Sequence, residues 1–213
     1  MKRRCLVFVD GQNLFHAARR EFGYEWPNFD AGKLASLLAV RTASALCQTR
    51  FYSAVPSASV DPWWYTFWAN KCSQMEQNNI TTITRAARVH AEGTHAVLGE
   101  KAIELRIGLD MVRATYDGEM DRLILVSSDA DLVEAVSEAR LVARKAGRRL
   151  RITSAYPDKS CGRQGIAQTE WLPISAVEYA TCLDERDYRP SDGQLKALTR
   201  LAEAPEREPQ NLV

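Results

Sequence analysis

The chain has 213 residues, 46% of them hydrophobic, with 28 lysines and arginines against 27 aspartates and glutamates, a formal charge of +1. A chain of this length buries enough surface to fold around one core without metals or disulfide staples, and its composition excludes collagen, coiled coil and bulk disorder. The near-neutral balance gives no bulk basic excess for holding polyanions, so any nucleic-acid surface has to be local.

Taken in chain order, Arg4 to Val9 is a nearly continuous apolar run ending at Asp10-Gly11, the pattern of a buried parallel strand. The Lys2-Arg3-Arg4 start is followed by only five apolar residues before Asp10, too few for a signal-peptide core. No apolar stretch approaches the roughly 20 residues of a membrane span, and a cytoplasmic protein is expected. Residues 12–22 read as a helix and Gly32 to Gln48 as a second, with Leu34, Leu37, Leu38, Ala45 and Leu46 on one face. Arg50 to Val55 is the next strand, stopped by Pro56.

Asp61-Pro62 opens a third helix, over 61–79, with an N-cap and a proline at the first helical position. Its body carries Trp63, Trp64, Tyr65, Phe67 and Trp68, either a core stripe or an exposed stacking or homodimer surface. Thr81 to Val89 reads as a strand, His90 to Gly99 as a loop, and a helix follows to about Tyr116. Asp121 to Val126 is the clearest second buried strand and runs into Ser127-Ser128-Asp129-Ala130-Asp131. The helix after it carries Leu132, Ala135, Val136, Ala139, Ala143 and Ala146 on one face and stops at Gly147. Leu150 to Ala155 is a further strand, and Pro157 to Gln168 a loop or short helix.

This alternation of strands and helices implies an α/β fold with a parallel sheet covered on both faces. The domain is placed at 1–182. Residues 183–213 form an extension with a helix near Gln194 to Ala204 and a disordered tail from Pro205. The five cysteines, Cys5, Cys47, Cys72, Cys161 and Cys182, contain no C-x-x-C pair and are expected to be reduced thiols.

Both of the best buried strands end in aspartate, Asp10 and Asp129, and ligands of open α/β sheets bind beyond the carboxyl ends of strands. Neighbouring carboxylates repel unless positive charge lies between them, and a hard divalent cation is the usual partner. Asp110 adds a third acid, so Asp10, Asp110 and Asp129 make a candidate Mg²⁺ or Mn²⁺ triad, although each aspartate is also a competent helix cap. His16, His90 and His95 show no ligand spacing. Arg140, Arg144 and Arg148 recur every four residues as a basic ridge, alternatively a solvated helix face.

The segments Val7-Phe8-Val9-Asp10-Gly11-Gln12-Asn13-Leu14, Glu100-Lys101 with Glu104 and Asp110, and Val126-Ser127-Ser128-Asp129-Ala130-Asp131-Leu132 together resemble the NYN domain family, in its bacterial LabA-like branch. The resemblance implies a PIN-like, Rossmannoid three-layer fold and a metal-dependent ribonuclease. It casts Asp10, Asp110 and Asp129 as catalytic acids with Asn13 positioning water or phosphate, and Asp10, Glu104, Asp110, Asp129 and Asp131 as the metal-binding set for Mg²⁺ or Mn²⁺. Lys101 would neutralise a phosphate, with Arg140, Arg144 and Arg148 as further substrate contacts on single-stranded RNA. The chain differs from the family pattern at Ala102, at Glu104 and in the Ser-Ser-Asp-Ala-Asp-Leu run, keeping the acids. A haloacid-dehalogenase-like phosphatase would need an aspartate where Gln12 stands, and a dinucleotide-binding loop would need more glycines than Gly11. The remaining alternative is a non-catalytic PIN-like module that binds RNA or protein.

Overall fold

The computed structural model describes residues 2–86, 88–92, 95–99, 101–160, 162 and 164–196, with side chains described for all of these except 88–92, 95–99, 101 and 102. Eight strands and six helices are described: β1 (Arg3–Asp10), α1 (Gly11–Phe22), α2 (Ala31–Arg41), β2 (Ser44–Val55), α3 (Pro62–Gln77), β3 (Thr81–Ala86), β4 (Arg88–Glu92), β5 (His95–Gly99), α4 (Lys101–Tyr116), β6 (Arg122–Val126), α5 (Val133–Lys145), β7 (Arg151–Pro157), β8 (Glu170–Ile174) and α6 (Ala176–Thr181). Six strands form one all-parallel sheet in the order β3-β2-β1-β6-β7-β8. The α/β, three-layer expectation holds.

Alternation along the central strands builds the two outer layers. Cys5, Val7 and Val9 of β1 join Ile124 and Val126 of β6 under α1, α2, α3 and α6, where Leu14, Leu34, Trp68 and Tyr179 complete a core. Leu6 and Phe8, with Leu123 and Leu125, face the other way and pack with Ile103, Ile107 and Met111 of α4 and Val136 and Ala139 of α5. A strand buried on both faces has no polar side to present, which is why β1 and β6 read as continuous apolar runs.

The chain winds outward from β1 to β3, then returns to lay β6 on the opposite side of β1. The change of direction falls between β1 and β6, where crevices open at the carboxyl ends of such sheets.

Several boundaries differ from the sequence expectation. The second helix ends at Arg41 rather than near Gln48: the Thr42 hydroxyl bonds back to the Leu38 and Ala39 carbonyls, and Ala43 turns left-handed at φ 50°. Ala45 and Leu46 then pair with Arg4 and Cys5 of β1, so the strand begins at Ser44. Sheet pairing outweighs the helical spacing of those two residues. Of the residues expected as a loop from His90 to Gly99, 90–92 and 95–99 lie in the antiparallel β4–β5 pair, and 93 and 94 lie outside the described residues. β8 and α6 were not expected.

In α3, Phe67 and Trp68 are buried, and Trp63 and Trp64 are half-buried and packed on that core. Tyr65 remains exposed. The rings form one intramolecular stack, with Trp63 5.8 Å from Phe67 and both tryptophans within 5.6 Å of Trp26. Beyond residue 182 the chain stays against the same helix: Lys71 donates to the Phe29 carbonyl at 2.7 Å and lies 3.7 Å from Asp184, with its ammonium 4.7 Å from the Tyr188 ring centroid. Residues 192–196 are helical, and the remainder of the expected terminal helix and tail lies outside the described residues. Among the described residues no helix is long and apolar enough to cross a membrane.

Gly11 carries the turn from β1 into α1. A Cβ there would overlap the buried Phe51 ring and come within 3.1 Å of the Tyr52 carbonyl oxygen. Gly11→Ala is therefore expected to lower unfolding free energy by about 1–3 kcal/mol through overpacking, measured as a lower urea midpoint at unchanged m-value.

Candidate functional site

Asp10 is the last residue of β1 and Asp129 lies just beyond the end of β6, and these strands are hydrogen-bonded neighbours from Cys5↔Arg122 to Val9↔Val126. Asp10 is 5% exposed and caps α1, with Oδ1 accepting the Asn13 N–H at 3.1 Å. Asp129 is also a cap: its Oδ1 accepts the Asp131 N–H at 2.9 Å, starting a short 3₁₀ turn over Ala130–Leu132 ahead of α5. Capping and chemistry use different lone pairs of a carboxylate, so one role does not exclude the other.

Two polar residues tie the loops together. Ser127 donates its hydroxyl to Asp10 Oδ2 at 3.4 Å and accepts the Asp129 N–H at 3.1 Å. Asn13 Oδ1 accepts both the backbone N–H and the hydroxyl of Ser128, at 3.1 and 3.4 Å. Sequence reasoning gave Ser127 no role. The available signal was a hydroxyl two residues before an aspartate at a strand end, a geometry that favours local side-chain to backbone bonding.

Glu104, in the first turn of α4, completes the acidic cluster. Partial burial first, then Asp129, Asp131 and Asp10, push its carboxyl up to about 7. Among the described residues, no group of three or more His, Cys, Asp or Glu side chains stands close enough to hold a metal ion as arranged. Beside Glu104 and Asp131, an open groove of about 450 Å³ runs between α4 and α5, with Gly108 in its lining and Leu105 and Leu109 exposed along it.

Asp110 is placed differently from Glu104. It is 6% exposed and accepts from the Tyr52 hydroxyl at 3.1 Å and from Arg106 Nε at 2.9 Å. Six residues on a helix turn the side chain about 240° from Glu104, toward β2, and its charge is matched by Arg106. Burial and Asp110 in turn hold the Tyr52 hydroxyl protonated, far above the ordinary tyrosine range.

Of the expected substrate contacts, the Lys101 side chain lies outside the described residues. Arg140, Arg144 and Arg148 do share one groove, but Arg148 spends its guanidinium on the Thr115 and Tyr116 carbonyls at the end of α4. His16 is exposed on α1, and the His90 and His95 side chains lie outside the described residues.

The NYN domain family model matches residues 4–160. The chain is a member of the NYN domain family. NYN domains are in general nuclease-like, RNA-binding domains. No curated protein matches the chain. Among solved structures, a Vibrio parahaemolyticus protein of unknown function superposes with a TM-score of 0.54 at 17% identity, covering 82% of this chain and 94% of that one. That likeness shows the shared fold.

The raised Glu104 carboxyl makes stability pH-dependent. Its folded-state value, about 7, exceeds the ordinary 4.5, so its contribution is fully present below about pH 4.5 and is lost as pH rises through about 7. In EDTA, Glu104→Gln should become steadily more stable relative to the parent between those limits, read as the difference in urea midpoints across pH. A difference that stays flat over this window would place Glu104 in ordinary solvent.

Proposed function

We propose that this NYN domain is a metal-dependent endoribonuclease that hydrolyses RNA phosphodiester bonds at the cluster of Asp10, Glu104, Asp129 and Asp131. The observation that carries the reading is the placement of Asp10 and Asp129 at the carboxyl ends of two neighbouring strands, tied together through Ser127. Carboxylates at neighbouring strand ends are suited to positive charge, and an all-oxygen donor set suits Mg²⁺ or Mn²⁺. The donor chemistry fits such an ion, with Asp10, Glu104, Asp129 and Asp131 as its holders and Asp110 outside that set, paired with Arg106. A bound divalent ion supplies Lewis acidity toward the phosphate and lowers the pKa of water.

The chain's own residues do the rest. Asn13 fixes the Ser128 backbone through its Oδ1, and its amide NH₂ has no protein partner among the described residues, leaving a donor at the rim for a phosphate oxygen or a water. Ser127 fixes the spacing of Asp10 and Asp129 by bonding to both. Binding with no cleavage is the second reading, favoured by the absence of a gathered three-acid group among the described residues.

Asp129→Asn separates the two readings. Asparagine caps about as well as aspartate, so the melting temperature should be kept, while Mg²⁺-dependent cleavage of single-stranded RNA should fall about 100-fold or more. EDTA should abolish cleavage by the parent. A parent that binds RNA and leaves it intact at saturating Mg²⁺ and Mn²⁺ would establish the non-catalytic reading.

A further inference from the structure

The second polar feature of the molecule is a groove of about 460 Å³ between α5 and the amino-terminal end of β7, lined by Ser137, Arg140, Arg144, Arg149, Arg151 and Gln168 among others. It is rich in arginine although the protein as a whole carries a formal charge of +1. Two of its arginines are spoken for, Arg148 on the end of α4 and Arg151 on Glu170 at 3.4 Å. Arg140, Arg144 and Arg149 have no acidic partner among the described residues, and Arg140 Nε is buried without any hydrogen-bond partner. A buried guanidinium N–H left unpaired is costly, and phosphate oxygens satisfy such donors in pairs.

The register fixes where this groove lies. Arg151 pairs with Arg122 at the start of β6, whereas Asp129 follows the other end of that strand. Four residues of strand separate Arg122 from Val126, roughly 13 Å at about 3.3 Å each. Along α5, Arg140 and Arg144 lie roughly 10 and 16 Å from the helix start beside Asp131, at 1.5 Å per residue. The arginines are therefore displaced along the strands from a phosphate at the acidic cluster. They can touch one about four stacked nucleotides away, at roughly 3.4 Å per nucleotide.

We infer that the Arg140–Arg144–Arg149 groove is an anchoring site for the phosphate backbone of an RNA strand whose scissile bond lies at the acidic cluster, so that the domain selects strands longer than about five nucleotides. The inference rests on the nuclease reading for the identity of the strand, but binding is measured without cleavage. Its ligand is the phosphodiester chain, read through charge and not through bases.

The test uses the full chain in EDTA with fluorescent single-stranded RNAs of four and twenty nucleotides. The parent should bind the longer strand at least tenfold more tightly. In Arg140→Gln/Arg144→Gln that preference should fall severalfold, and the slope of log K against log salt should flatten by about 1.4, two phosphate contacts at about 0.7 each. Because Arg140 is partly buried, Arg144→Gln/Arg149→Gln, which changes two exposed side chains, provides a variant that leaves the core untouched and should show the same loss. Unchanged length preference and salt slope in folded Arg144→Gln/Arg149→Gln would overturn the anchor. A parent that binds neither RNA would overturn it too, whereas binding without cleavage in Mg²⁺ would leave the anchor standing and overturn only the nuclease reading.

Discussion

Carboxylates crowded at the ends of β1 and β6 set the terms for everything around them. Asp10 is almost wholly buried, and Glu104 is held next to Asp129 with its carboxyl raised to about 7. Such an arrangement persists only where the surroundings over-determine it, because like charges in a low-dielectric crevice push apart. Ser127 and Asn13 provide that restraint. Each spans both loops, so separating the acids would break hydrogen bonds on two sides at once. Two helix caps, at Asp10 and Asp129, use backbone N–H groups to offset part of the same negative charge.

The restraint depends on close packing beneath it. Gly11 lets α1 leave β1 directly over the Phe51 ring, and Gly108 brings α4 to within contact of Ala135 on α5. The second contact places Glu104 at the same end of the molecule as Asp131. A Cβ at Gly11 would meet the Phe51 ring and one at Gly108 would press on Ala135, although neither glycine has a polar function. Close packing supports the bonds of Ser127 and Asn13 that hold the carboxylates.

Much of this was legible in the sequence where one physical pattern dominated. β1 and β6 are buried on both faces, so their apolar runs could be read directly, and the aspartates that end them followed. Reading failed where two patterns competed. Ala45 and Leu46 continue the helical spacing of α2 yet pair with β1, and nothing local distinguishes those outcomes. β8 escaped notice because Pro173 argues against a strand, but β8 is the edge strand, where a missing N–H is tolerated. α6 did carry a signal, the capping box of Ser175 and Glu178, in a segment too short for periodicity to show. At the site, spacing could not separate Glu104 from Asp110. Both sit on α4, and only the helix's rotation decides that one lies toward Asp129 and the other meets Tyr52 of β2.

The charge arithmetic hides local groupings of like charge. At the amino ends of the strands lie Arg4, Arg122 and Arg151, in ion pairs with Asp121 and Glu170. At the carboxyl ends of β1 and β6 lie Asp10, Asp129 and Asp131. A polyanion meeting this surface is drawn to the arginine groove and repelled from the acidic end, so its approach to that end depends on positive charge being present there. A near-zero total charge is thus compatible with a local arginine groove and a separate group of carboxylates about the length of one strand away.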